Sequence, residues 1–124
     1  MQTTSEDFAA RNLPRRYDAV LLDAPCSNTG VLRRRPDVRW RLQPQDIALA
    51  ADKQLKMLRK AVSFVSPQGR LVYGTCSLEK EENRGVVEKF LEMEKGHWRL
   101  KAESSYTPWK DGHDGGSAFL LVPA

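Results

Sequence analysis

One long helical stripe set between two short apolar runs limits the folds open to this chain. The first run, Tyr17-Asp-Ala-Val-Leu-Leu22, is near-continuous, as in a strand buried on both faces of a parallel sheet. The stripe follows: Ile47, Ala51, Leu55, Leu58, Val62 and Val65 recur at steps of four or three, the period of a helix over 44–65. Pro44 suits the first helical turn and Ser66-Pro-Gln-Gly69 the stop. The second run, Leu71-Val-Tyr73, lies in a short strand over 70–74. A second helix is predicted over 79–94, with Glu79, Glu81 and Glu82 in its first turn and Val86, Val87, Phe90 and Leu91 on its apolar face. The residues at 97–101 alternate like a strand, 103–117 read as loop, and 118–122 form a last strand that can pair with the previous one at a sheet edge. Strand–helix–strand–helix is the order of an α/β domain with a parallel sheet and a right-handed crossover.

With 124 residues, 40% of them apolar, the chain has material for one domain with a modest core. No apolar run approaches the ~20 residues of a bilayer span, and the polar start lacks a signal-peptide core. Two cysteines are too few for a disulfide scaffold or a four-cysteine zinc site. The expected compartment is the cytoplasm, with both thiols reduced and no metal. Residues 1–16 form a polar N-terminal segment expected to be extended or frayed.

The net charge of +4 is concentrated in one place. Residues 33–41 hold Arg33, Arg34, Arg35, Arg39 and Arg41 against Asp37, while the rest of the chain balances. Such a stretch is either a solvated loop or a docking site for an anion. Trp40 within it favours nucleic acid, since arginine neutralises phosphates and tryptophan stacks on bases.

Cys26 and Cys76 share a setting: each lies just past a predicted strand and precedes a serine. Open α/β sheets bind ligands at the carboxyl ends of their strands, so neighbouring strands would bring both thiols to one crevice. Buried structural cysteines, a disulfide and a catalytic pair are all open readings. Cys76 also precedes the predicted helix, whose N-terminus favours a thiolate. Asp23, three residues before Cys26, is either a turn cap or a carboxylate for a polar substrate edge. Neither His97 nor His113 accompanies a cysteine, and no phosphate-cradling glycine motif occurs.

Two segments carry a resemblance. Asp23-Ala-Pro-Cys-Ser-Asn-Thr-Gly-Val-Leu-Arg-Arg-Arg-Pro-Asp-Val-Arg-Trp40 resembles motif IV of the RNA cytosine-5 methyltransferases, and Gly74-Thr-Cys-Ser-Leu-Glu-Lys-Glu-Glu-Asn83 resembles their motif VI. The subgroup most like it is the bacterial ribosomal RNA enzymes often called Sun or Fmu proteins, over about residues 17–122. The resemblance implies S-adenosylmethionine-dependent methylation of cytosine C5 in RNA, with Cys76 as nucleophile and Cys26 releasing the product. It implies Asp23 at the base edge and near the methionine end of the cofactor, and Pro25 shaping the loop beside the base. Asn28 stands where many members have glycine. The family's glycine-rich cofactor loop has no counterpart here, so residues 17–124 are expected to form the C-terminal half of a Rossmann-like domain, with about four strands. Three functional readings follow: part of an RNA methyltransferase, a non-catalytic RNA-binding module using residues 33–41, or a thiol redox protein. The lack of a Cys-x-x-Cys weighs against the last. The open side of the first strand is expected to take a second copy of the chain, a partner supplying the other half, or the chain's own residues 1–16 folded over it.

Overall fold

The computed structural model describes residues 16–32 and 36–124. The reading of residues 1–15 as extended lies outside them, as do Arg33, Arg34 and Arg35. In chain order the elements are β1 (Tyr17–Asp23), α1 (Val38–Arg41), α2 (Pro44–Ala61), β2 (Val65–Thr75), α3 (Arg84–Met93), β3 (Trp98–Tyr106), α4 (Pro108–Asp111) and β4 (Gly116–Pro123). Single 3₁₀ turns cover Thr29–Val31, Val62–Phe64 and Lys80–Glu82. The four strands form one sheet in the order β1-β2-β4-β3. Among the described residues, no helix is long and apolar enough to cross a membrane.

The sheet is parallel only between β1 and β2; β4 runs antiparallel to both β2 and β3. The expected parallel sheet is therefore half of the observed one, and the expected edge pair of the last two strands makes the other half. Leu71 and Tyr73 of β2 and Phe119 and Leu121 of β4 point to one face, where Leu58 of α2 and Val86, Val87 and Phe90 of α3 complete the core. Val20 and Leu22 of β1 pack on the same side. Alternation then turns Leu21 to the other face, where it is 72% exposed. The apolar run of β1 is thus not buried on both faces: within the described residues both long helices cover one side only.

Helix α2 begins as its sequence suggests. Pro44 occupies the first turn, and Gln43 and Asp46 close a reciprocal capping box, with the Gln43 N–H donating to the Asp46 carboxylate at 2.8 Å. It ends earlier than its stripe, because Val65 has already turned into β2. The β1–β2 register jumps from Tyr17↔Val65 to Ala19↔Arg70, so the Ser-Pro-Gln-Gly punctuation is an irregularity inside β2.

The second helix starts later than its periodicity predicts, at Arg84. Asn83 explains the delay. Its amide nitrogen donates to Ser77 O (2.9 Å) and Glu79 O (3.0 Å), and its oxygen accepts from the Thr75 hydroxyl. These bonds hold 77–83 as a compact turn. The residues at 103–117 are more ordered than a loop: β3 runs on to Tyr106, and α4 occupies part of the remainder.

Candidate active site

The parallel pairing of β1 and β2 sets Asp23 opposite Gly74, and the chain leaves both strands at the same end. Ala24 N–H extends the ladder to Gly74 O at 2.9 Å. The next residues cross over the end of β2. Gly30 N–H donates to Cys76 O (2.7 Å), and Gly115 N–H, from the loop before β4, donates to Gly30 O (2.8 Å). Three loops are stitched side by side, with Gly30 in the middle. A Cβ on Gly30 would lie 2.3 Å from Gly115 O and 2.4 Å from Cys76 O, so only glycine permits this approach.

This geometry brings the Cys26 and Cys76 sulfurs to 3.1 Å, both partly accessible and unbridged. The side chain of Asn28 joins them, its Oδ1 2.9 Å from the Cys76 sulfur. Beneath the thiols lies a polar cluster with Glu82 at its centre, fully buried. Its Oε1 accepts from Ser27 N–H (2.8 Å) and Gln54 Nε2 (3.1 Å), and its Oε2 accepts from the hydroxyls of Ser27 and Ser77. Ser27 and Ser77 each follow a cysteine, so one carboxylate ties together the two cysteine-bearing segments. Gln54 also donates to Pro25 O at 2.8 Å, and Thr29 Oγ1 accepts from Leu78 N–H at 2.7 Å.

The two thiols differ electrostatically. Cys76 is brought down to about 7, chiefly because the Cys26 thiol donates to its sulfur; burial and the Asp23 and Glu82 carboxylates push the other way. Cys26 is pushed well up, first by that same hydrogen bond and then by burial. The helix N-terminus expected to favour a Cys76 thiolate is not beside it, since α3 begins only at Arg84. The neighbouring thiol takes that part instead.

Asp23 sits exposed at the end of β1, with no side-chain hydrogen bond among the described residues. Pro25 is exposed beside it. An exposed carboxylate at a strand's carboxyl end fits the cationic methionine end of S-adenosylmethionine. Arg39, Trp40 and Arg41 lie on α1 rather than in an irregular loop, anchored by the buried Val38. Trp40 is 82% exposed, with the Arg39 guanidinium 6.0 Å from its ring centre. Arg41 pairs with Asp37 at 2.6 Å. An open groove of about 290 Å³ runs from Cys26, Ser27 and Asn28 to Arg41 and Asp46, so α1 lines the same groove as Cys26. Among the described residues no cluster of three or more His, Cys, Asp or Glu side chains is arranged to hold a metal.

Sequence reasoning did not single out Glu82 as buried, nor Gln54 or Gly30. Glu82 looks like an ordinary first-turn acid. Gln54 follows Ala51 by three, but a polar residue at that spacing is not distinguishable from the solvated edge of a stripe.

Known proteins share this fold. A family profile described as "16S rRNA methyltransferase RsmB/F" matches residues 2–120. Ribosomal RNA small subunit methyltransferase B of Vibrio cholerae is 49% identical over 76 residues, 61% of this chain and 18% of that protein. The matched stretch is thus about a fifth of the relative's length. Among solved structures, NSun6 from Pyrococcus horikoshii with SFG superposes with a TM-score of 0.79 at 26% identity, over 98% of this chain and 33% of that one. A methyltransferase homologue from Pyrococcus horikoshii shares the fold, with a TM-score of 0.75 at 24% identity over 96% of this chain and 42% of that one. The match over residues 2–120 makes this chain a member of the 16S rRNA methyltransferase RsmB/F family.

Proposed function

We propose that this chain carries the base-handling half of an enzyme that methylates C5 of a cytosine in ribosomal RNA. In this reading residues 17–124 are the C-terminal half of the catalytic domain, and the cofactor's glycine-rich loop belongs to the other half. The observation that carries it is the pair of motif cysteines, held 3.1 Å apart at the carboxyl ends of adjacent parallel strands.

C5 of cytosine is a weak carbon nucleophile. Attack of the Cys76 thiolate on C6 forms an S–C6 bond and moves the C5–C6 electron pair onto C5 and the ring, with N3 taking a proton. S-adenosylmethionine, when bound near Asp23 and Pro25, supplies the methyl group. Release requires that N3 give back the proton it took, that the C5 proton leave, and that the C5–H electron pair reform C5=C6 and expel the Cys76 sulfur. Cys26 is placed for this step. Its raised proton affinity comes first from hydrogen bonding to Cys76. Once Cys76 is a thioether, that cause is gone and burial alone still favours the thiol; having given its proton to solvent, Cys26 is then a strong enough base to accept the one on C5. Arg33, Arg34, Arg35, Arg39 and Arg41 neutralise RNA phosphates, and Trp40 stacks on an unpaired base.

The test is covalent capture. The chain is incubated with S-adenosylmethionine and small-subunit ribosomal RNA, with the cofactor half of a relative supplied as a separate polypeptide. Cys26→Ala is expected to accumulate a denaturant-stable RNA adduct, because addition proceeds and release does not. Cys76→Ala is expected to form none. An adduct on Cys76→Ala and none on Cys26→Ala would reverse the two roles.

A further inference from the structure

We propose that Asn28 is a positioning residue for the Cys76 sulfur: its side-chain amide accepts the thiol's proton in the resting state and turns to donate an N–H to the sulfur once that proton has left. The proposal rests on the reading of Cys76 as the attacking group.

Asn28 is the one non-glycine residue with positive φ among the described residues, at 64°. Glycine meets that backbone requirement at least as easily, so the conformation alone does not call for asparagine. What asparagine adds is its amide. Oδ1 lies 2.9 Å from the Cys76 sulfur and 3.8 Å from that of Cys26. The Asn28 backbone N–H also faces the Cys26 sulfur, at 3.4 Å. Its side-chain amide and its backbone N–H thus both face the thiols.

The backbone on which it stands is fixed. Thr29 is tied to Leu78 N–H and Gly30 to Cys76 O, so the amide turns in place rather than drifting away. A carbonyl oxygen at 2.9 Å suits a thiol and opposes a thiolate. A half-turn of the amide exchanges O for NH₂ with almost no change in shape, and an N–H donated to a sulfur anion is a charge-assisted bond. Asparagine can therefore serve both protonation states of Cys76. Aspartate serves only the protonated one, and glycine serves neither.

The charged and titratable groups around the sulfur define what Asn28 works against. Cys26, on the loop after β1, donates to the Cys76 sulfur, while Asp23 at the end of β1 and Glu82 before α3 both disfavour the anion. Across the groove, Arg41 of α1 and Asp46 of α2 offset one another in sign. With Asn28 removed, Cys26 is the only side chain among the described residues left to donate to a Cys76 thiolate.

Site-resolved alkylation by iodoacetamide across pH, read by peptide mass spectrometry with both cysteines retained, tests this without RNA or cofactor. Asn28→Gly suits the left-handed backbone, so its fold is not at stake, and unchanged circular dichroism verifies that. Its Cys76 alkylation midpoint is expected to rise by about one pH unit, with about five-fold slower alkylation at pH 7. Asn28→Asp is expected to raise the midpoint further. An Asn28→Gly midpoint equal to that of the unsubstituted chain overturns the proposal, as does an Asn28→Asp midpoint below that of Asn28→Gly. If the midpoints move as expected while Cys76→Ala still captures RNA, the amide's effect stands and the nucleophile assignment falls.

Discussion

Glu82 and Leu21 invert the usual partition of side chains, and in opposite ways. Glu82 is a charged group with no exposed surface, and Leu21 is an apolar one left 72% exposed. The buried acid is complete: two hydroxyls, a backbone N–H and an amide meet its two oxygens, all from this chain. The exposed leucine is met by no cover among the described residues. It stands on an edge strand, on the face that neither α2 nor α3 covers, beside Val72 of β2. The two inversions separate a site closed by described residues from a face they leave uncovered. The described residues set the geometry of the two cysteines, and among them nothing covers the flank of β1.

The largest expected effect tests the completed side. Glu82→Leu removes the acceptor for four donors and leaves Ser27 N–H and Gln54 Nε2 short of partners in a dry interior. The expected loss is about 3–5 kcal/mol of stability, measured by urea denaturation. Glu82→Gln should cost far less, about 1–2 kcal/mol, because the hydroxyls of Ser27 and Ser77 can rotate to accept from the new amide nitrogen. A Glu82→Leu chain as stable as the parent would mean that the carboxylate does not tie the two segments together.

Glu82 also shows where reading the sequence stops. The elements themselves were legible: the stripe from Ile47 to Val62 marks α2, and the runs at 17–22 and 71–73 mark β1 and β2. Their limits were less so. Asn83 delays α3 through hydrogen bonds to residues four to eight positions back, and the helical period contains no trace of such bonds. Cys26, Cys76 and Asp23 stood out because they sit at strand ends. Glu82 and Gln54 did not, because their burial depends on two loops that meet 50 residues apart in sequence. The exposure of Leu21 was hidden for a related reason. An apolar run says that a strand can be covered on both faces, not which residues supply the covers.

The open side gives the second test. Among the described residues β1 pairs only with β2, and no charge or proline interrupts residues 19–22, so the edge left free by them is a template for another strand. We propose that the isolated chain self-associates through this edge as a two-fold antiparallel pair, with Leu21 covered in the contact. Sedimentation at several concentrations should show a monomer–dimer equilibrium. Leu21→Lys, which places a charge on the bare face, should weaken it by about a hundred-fold or more, because the two-fold contact loses two buried leucines. A strict monomer whose amides at 19–22 are nonetheless protected from exchange would sink the dimer and indicate that the chain covers its own edge.

The smallest effect concerns α1, where the surface carries charge instead of an apolar side chain. Arg41 is held by Asp37 in an exposed i, i+4 ion pair, and the Asp37 carboxylate makes no capping bond to the helix. Such pairs contribute little, so Asp37→Ala should change stability by no more than about 0.5 kcal/mol. Its effect on RNA should have the opposite sense. The carboxylate competes with phosphate for Arg41, and removing it makes another cation available. The log–log salt dependence of RNA binding should steepen by up to about 0.7, the contribution of one phosphate on a single strand. Replacing Arg39 and Arg41 together by Gln should flatten the same slope by about 1.4. Both variants leave the buried cluster untouched, so their melting curves should overlay that of the parent. If Asp37→Ala melts early while the slope stays constant, α1 is a structural turn and its arginines are solvated rather than phosphate-bound. If the slope moves in both variants at unchanged stability, α1 belongs with β1 among the surfaces that this chain presents to a partner.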